Sequence, residues 1–305
     1  MSNHYVDAVR QGKNEWWRYL LGMILILGIG VVGGSALAAI GMIILITVTH
    51  PSNASKILDS PTVIDDLPKY LQSFPILNFI IHNLPFVLLF LGIVLAVKFV
   101  HQRRCRSLIS PDSSFQTDRF FTGFGLWSIL MLIALGVGYV ISPQSFRLTF
   151  SPLLWVQLLV VVLVLTPIQI AAEELFCRGY LMQGLSLLTR NRWILICVPS
   201  LLFAIAHFGN SEMQRDAVWM ALQYWSFGVF LAVVTLKDNR LELALGIHAA
   251  QNMVLLLLAN TEDSALPTPS IFTQPQPEEA RSSLFVFWLL AASFYWLIFG
   301  RKVKR

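Results

Sequence analysis

Charge is scarce in this chain: Asp, Glu, Lys and Arg make up 13% of its 305 residues, about half the share found in a soluble domain. That shortage, set beside 56% apolar residues, excludes a soluble fold and places most of the mass in lipid. Cysteine is scarce too. Cys105, Cys177 and Cys197 form no C-x-x-C pair, which excludes a disulfide framework and a thiolate metal site. No H-E-x-x-H sequence, internal repeat or low-complexity tract is present. The net charge of +5 does not point to nucleic acid as a partner, because a modest basic excess in a membrane protein marks its cytoplasmic loops.

Uninterrupted apolar sequence, by contrast, is abundant. A hydrocarbon core about 30 Å thick takes roughly 17 to 25 residues of helix, and nearly charge-free stretches of that order occupy 20–48, 76–97, 120–141, 153–172, 193–208, 217–236, 243–259 and 284–300. The sequence therefore predicts an all-α, polytopic membrane helix bundle of about eight transmembrane helices in the lipid bilayer. Loop charges orient it. Arg10, Lys13 and Arg18 precede the first span, and Lys98, Arg103, Arg104, Arg106 and Arg119 surround the second-to-third connection. Arg190 with Arg192, Lys237 with Arg240, and Arg301, Lys302, Lys304 and Arg305 mark the other basic connections. The alternate loops carry Asp59, Asp65 and Asp66, or Glu262, Asp263, Glu278 and Glu279. This alternation puts both termini in the cytoplasm, with the cell inner membrane as the expected location.

Near the start, Gly33-Gly34-Ser35-Ala36-Leu37-Ala38 looks like a signal-peptidase site. The apolar run continues to Val48, too long for the core of a cleaved leader. Gly30 and Gly34 form a small-xxx-small pair able to bring another helix close. The loops 49–74 and 260–283 read as solvated outer connections, and Pro267, Pro269, Pro275 and Pro277 predict flexibility in the second. Three regions follow: an N-terminal membrane region of three spans (1–150), a catalytic core (151–260), and an acidic outer loop with the last span and basic tail (261–305).

Polar residues inside spans are costly and commonly functional, and here they gather in the second half. The fourth span ends in Glu173-Glu174 followed by Arg178, the fifth ends in His207, and the seventh contains His248 and Asn252. Glu174 and Arg178, four apart, share a helical face and can neutralise each other. Glu173 points about 100° away, lacks that partner, and suits a general base taking a proton from water. His248 and Asn252 also share a face, presenting two donors that can hold an oxyanion. Each signal has a plainer reading. The glutamates and Arg178 also fit an interfacial cluster, His207 a packed histidine, and His248 with Asn252 a bridge between helices.

Taken together and in order, Glu173-Glu174-x-x-x-Arg178, Phe203-x-x-x-His207 and His248-x-x-x-Asn252 resemble the CPBP intramembrane proteases. That family is also called Abi or CAAX proteases, and its eukaryotic member is the Ras-converting CAAX endopeptidase. The resemblance covers about residues 153–259. It implies an endopeptidase acting on a peptide or membrane-associated protein near the membrane, with Glu173 and His207 activating water and His248 and Asn252 stabilising the oxyanion. Glu174 and Arg178 are then supporting residues. No cofactor is favoured, although Glu173, His207 and His248 could supply a three-ligand zinc site; no spare acid on the fifth or seventh span supports the histidines from behind.

Two other classes fit parts of the pattern: a proton- or cation-coupled transporter using the same ionisable groups, and a non-proteolytic scaffold or immunity protein. The spans also set a geometric problem. With the fourth span ending at residue 172, Glu173 lies at its inner end, whereas His207 lies about 20 Å along a straight fifth span. A kink at Pro167, or a tilted or deeper fifth span, is then needed to bring them together in a cavity expected to open to the cytoplasm.

Overall fold

In hydrocarbon a backbone must satisfy its own N–H and C=O groups, and helices do so within one segment. A computed structural model describes residues 4–60, 73–112, 114–275 and 280–300 and contains eight apolar helices. Six are long and apolar enough to cross a membrane: α1 (Trp16–Thr49), α2 (Pro75–Val100), α3 (Thr117–Ile141), α4 (Pro152–Leu185), α6 (Ala217–Asp238) and α8 (Arg281–Gly300). The other two, α5 (Arg192–Ala206) and α7 (Glu242–Leu257), have 15 and 16 residues, or about 22 to 24 Å. They occupy the fifth and seventh apolar runs and stop at Ala206 and Leu257, just short of the boundaries read from the sequence. Asp65, Asp66, Pro277, Glu278, Glu279, Arg301, Lys302, Lys304 and Arg305 lie outside the described residues.

The fourth span does not end at residue 172. The helix runs through Glu173 and Glu174 to Leu185 as one 34-residue element, passing through a π-helical stretch at Leu175–Met182. Its charges do not terminate it because Arg178 neutralises Glu174 within the helix, and apolar Leu175, Cys177, Tyr180 and Met182 continue the buried surface. This extension removes the geometric problem posed by the sequence. From the 186–191 connection, Glu173 lies about 18 Å up α4 and His207 about 22 Å up α5, so two antiparallel neighbours carry them to similar heights.

Close backbone approach fixes the neighbouring helices. Gly123 on α3 and Gly246 on α7 face each other's helices so closely that a Cβ on Gly246 would lie 2.1 Å from Phe120 O and one on Gly123 2.3 Å from Leu243 O. Trp127 on α3, fully buried, donates its indole N–H to Gln251 on α7 at 2.9 Å. Its ring joins Phe230, Phe287 and Phe294, with centroids 5.2 to 6.1 Å away, fastening α6 and α8 to the same core. The Gly30/Gly34 pair on α1 is packed against α2 at Leu89 and Pro85.

Outside the helices, the described part of the 260–283 connection, residues 260–275, contains regular structure where its prolines predicted flexibility. Strands β1 (Arg147–Leu148), β2 (Ala259–Thr261) and β3 (Phe272–Gln274) form a sheet in the order β1-β3-β2, antiparallel and then parallel. The segment caps α7: Ile271 N–H and Phe272 N–H donate to the terminal carbonyls of Leu257 and Leu258, and Thr268 Oγ1 donates to Leu256 O. The shortness of α7 is thus made up by a covering strand that satisfies its last carbonyls. At the opposite end, the short helical segments His4–Asp7 and Ala8–Gln11 lie under the bundle with Tyr5, Val6, Ala8 and Val9 buried, and the Tyr5 hydroxyl donates to Leu108 O at 2.8 Å.

Gly246→Val places two methyl groups where the α3 backbone runs. Its expected effect is a loss of about 1–3 kcal/mol, read as a lower midpoint of reversible unfolding in detergent. An unchanged midpoint contradicts the observed helix approach.

Candidate active site

Three helices bring the embedded polar residues of the sequence together. Glu173 and Glu174 come from the middle of α4, Arg178 from its π-helical stretch, His207 from the first position beyond α5, and His248 and Asn252 from α7. Phe203 on α5 and Phe227 on α6 close the space between them, their rings 6.0 and 5.0 Å from that of His248.

The two glutamates are treated differently. Glu174 is fully buried, and its Oε1 accepts from both Arg178 Nη1 and His248 Nδ1, at 2.7 and 2.8 Å. Arg178, also fully buried, donates through Nη2 to Gly228 O on α6 at 2.9 Å and holds its guanidinium over the Phe203 ring, 5.0 Å from the centroid. The π-helical widening of α4 begins one residue after Glu174 and contains Arg178, and Arg178 ties α4, α5 and α6 together. Such a pair does not make burial favourable by itself, but removing one partner leaves the other charge stranded in a low dielectric.

Among the described residues Glu173 accepts a hydrogen bond from Gln169 Nε2 alone, at 3.3 Å, one turn earlier on α4. Its Oε2 lies 3.6 Å from His248 Nε2, beyond ordinary hydrogen-bond length. His248 therefore stands between the carboxylates, bonded to one and facing the other. Since Phe203 O can only accept, His207 Nδ1–H donates to it at 2.7 Å. That bond fixes the tautomer of a neutral ring and leaves Nε2 as an acceptor. The His207 ring is stacked on Tyr224 of α6, with centroids 4.3 Å apart and planes 27° apart, and packs against Phe203 on its other side at 4.4 Å. Among the described residues no hydrogen bond joins His207 to Glu173. Asn252, one turn beyond His248, is half-buried, and among the described residues its amide makes no hydrogen bond.

Glu173, His207 and His248 are not gathered as metal ligands would be. Among the described residues no group of three His, Cys, Asp or Glu side chains is placed to hold a metal ion. The Nδ1 of each histidine is engaged, by Phe203 O and by Glu174, which leaves Nε2 as the ring atom open to a ligand, but zinc would need three donors converging at about 2.0–2.2 Å. The trio does not fit such a site.

Two residues that shape this site were not singled out from the sequence. Tyr224 supplies the surface on which His207 rests, and its hydroxyl accepts from Asn210 Nδ2 at 2.9 Å; an aromatic residue in an apolar span looks like core. Gln169 was legible in principle, being four residues before Glu173 on one face. The turn after His207 is tied down as well. Arg215 pairs with Asp263 and donates to Thr261 Oγ1 at 2.8 Å. Burial pushes the Asp263 carboxyl up, but the Arg215 hydrogen bond and charge outweigh it and leave it below the usual carboxylate range.

Comparison with known proteins places these residues in one window. Residues 152–254 match the family described as type II CAAX prenyl endopeptidase Rce1-like, an interval that contains Glu173, Glu174, Arg178, His207, His248 and Asn252. An uncharacterised protein of Bacillus subtilis, YyaK, is 33% identical over 273 residues, covering 89% of this chain and 87% of that one. No solved structure matches the chain.

Arg178→Met is expected to lower stability by about 3–5 kcal/mol by stranding Glu174, measured by reversible unfolding in detergent. Arg178→Met combined with Glu174→Leu is expected to recover much of that loss; equal losses in the single and double variants contradict the pairing. Because the Asp263 pKa is depressed, the contribution of the Asp263–Arg215 pair is present above the unfolded carboxylate pKa and is lost as pH falls through the lower, folded one. Asp263→Asn is therefore expected to lower the unfolding midpoint at neutral pH and to narrow its difference from wild type in acid. A difference that persists unchanged in acid contradicts this.

Proposed function

The chain belongs to the Rce1-like, CPBP family of CAAX-type intramembrane proteases, and from that premise we propose that it is a multi-pass membrane endopeptidase using Glu173 as its general base. The observation that carries this reading is the division of labour between neighbouring carboxylates. Glu174 is held by short bonds to Arg178 and His248, whereas Glu173 has a long hydrogen bond from Gln169 and faces His248 Nε2 at 3.6 Å.

Water lying between Glu173 and His207 gives a proton to the Glu173 carboxylate while His207 Nε2 accepts its second hydrogen bond. The oxygen attacks the scissile carbonyl carbon, and charge moves onto the carbonyl oxygen. The amide of Asn252 donates to that oxyanion. His248, when doubly protonated and held through Nδ1 by Glu174, donates from Nε2. Collapse of the tetrahedral intermediate breaks the C–N bond, and the proton on Glu173 passes to the leaving amine, so the base returns to its starting state. No step needs a metal.

In this reading residues 151–260 are the catalytic core and residues 1–150 its scaffold. All eight helices traverse the bilayer, the short α5 and α7 being completed by the turn after His207 and by the strand cap, with both termini in the cytoplasm of a cell whose inner membrane holds the protein. The substrate is a peptide segment of a membrane-associated protein.

The test is hydrolysis of a panel of membrane-anchored reporter peptides by protein reconstituted in lipid vesicles. His207→Ala is expected to lower turnover by at least 100-fold, the scale of general acid–base catalysis. Asn252→Ala is expected to lower kcat by about 10² to 10³, as for loss of one oxyanion donor. A chelator should leave wild-type turnover unchanged. Undiminished cleavage by His207→Ala, or abolition by chelator with recovery on adding zinc, contradicts the mechanism.

A further inference from the structure

The direction from which substrate reaches this site can be read from burial, connectivity and charge, taking the proposed protease site as given. Exposure across the site is graded. Arg178 and Glu174 are 0% exposed, His248 2% and Glu173 8%, while His207 and Asn252 are half-buried. The closed end points down α4 toward the 186–191 connection. There Gly179 is packed on Leu108, Met182 and Gln183 are fully buried, and Gln183 donates to Ser107 O while accepting from Arg103. Beneath them Tyr5 and Val6 seal the bundle, Tyr5 through its bond to Leu108 O and Val6 through its carbonyl, which accepts from Ser186 Oγ.

The open end points the other way. His207 is the first residue of the turn joining α5 to α6, and the turn continues with exposed Gly209 and the polar residues Asn210, Ser211, Glu212, Arg215 and Asp216. Because α5 and α6 form an antiparallel pair and α6 is long enough to cross the bilayer, this turn lies on the membrane face opposite the 186–191 and 239–241 connections. Charge separates the two faces. Arg190, Arg192, Lys237 and Arg240 lie at the closed end with Lys13, Arg18, Lys98 and Arg103. At the open end stand Glu212, Asp216, Glu262 and Asp263 with fewer basic residues: Arg147 pairs with Glu262, Arg215 pairs with Asp263, Arg281 lies over the Trp219 ring and Lys56 is exposed. The positive-inside rule makes the closed end cytoplasmic.

We infer that the site is entered from the non-cytoplasmic side of the membrane, the reverse of the opening expected from the sequence, and that its substrate is a polypeptide segment already carried across the bilayer. A membrane-translocation step must therefore supply what this site cleaves.

Single cysteines in a background of Cys105→Ser, Cys177→Ala and Cys197→Ala test the placement. Gly209→Cys suits the open end, since a Cβ there meets nothing within 4 Å, and Leu188→Cys suits the closed end, where Leu188 is 86% exposed. In intact cells a membrane-impermeant maleimide is expected to modify Gly209→Cys at least 10-fold faster than Leu188→Cys, which should react only after permeabilisation. Reaction of Gly209→Cys only after permeabilisation, or of Leu188→Cys in intact cells, overturns the inference. Should the cysteine-free chain fail to accumulate, a protease-cleavable tag inserted after Gly209 or after Leu188 in the otherwise native chain gives the same comparison with protease added outside the cells. Labelling reads placement and not turnover, so it can fail while His207→Ala still abolishes proteolysis, and the reverse.

Discussion

Everything at this site depends on placing two consecutive carboxylates within a membrane helix bundle. An unpaired charge at that depth is expensive by any scale, and two side by side would repel one another. Glu174 resolves half of the problem through the Arg178 guanidinium and the His248 imidazole, both on the same oxygen. Arg178 could not pair only with Glu174, because a guanidinium has five N–H donors. The Gly228 carbonyl and the Phe203 ring face take up part of that capacity. The same contacts set the spacing of α4, α5 and α6, so the group that neutralises the site also assembles it. Glu173 stands outside that pairing, hydrogen-bonded by Gln169 and 3.6 Å from His248 Nε2, and is the carboxylate proposed as the base.

The short helices are the second requirement. A long α5 would carry its backbone past His207 and wall it off with apolar side chains. Instead it ends at Ala206, and the chain turns into a polar connection anchored to Asp263 and Thr261 by Arg215. Likewise α7 ends at Leu257, about 8 Å beyond Asn252, with its carbonyls covered by the strand at Phe272. Polar backbone is tolerated at depth where it lies against protein or lines a wet cavity. The short α5 and α7 bring such backbone within reach of the histidines.

Much of this was legible in the residues themselves. Apolar run length located the six helices long enough to cross a membrane, because hydrocarbon thickness sets their length scale, and also the two shorter ones, α5 and α7. The four-residue spacings of Glu174 with Arg178 and of His248 with Asn252 placed each pair on one face. The end of α4 was misread because charge was taken to mark the water boundary, whereas an internal pair with Arg178 lets a charged residue sit well inside a helix. The strands at 259–261 and 272–274 escaped notice because pieces two or three residues long have no alternation to detect, and prolines nearby read as flexibility. Tyr224 could not have been found at all: its role lies in where its ring meets His207, and no local pattern encodes that contact.

The unequal roles of the adjacent glutamates can be measured side by side in one lipid-reconstituted preparation, by comparing turnover and unfolding midpoint for Glu173→Gln and Glu174→Gln. The expected result is a split, with Glu173→Gln abolishing turnover at a nearly unchanged midpoint and Glu174→Gln lowering the midpoint by loosening Arg178 and His248. Retained turnover in Glu173→Gln, or a collapse of its midpoint with that of Glu174→Gln unmoved, would contradict it.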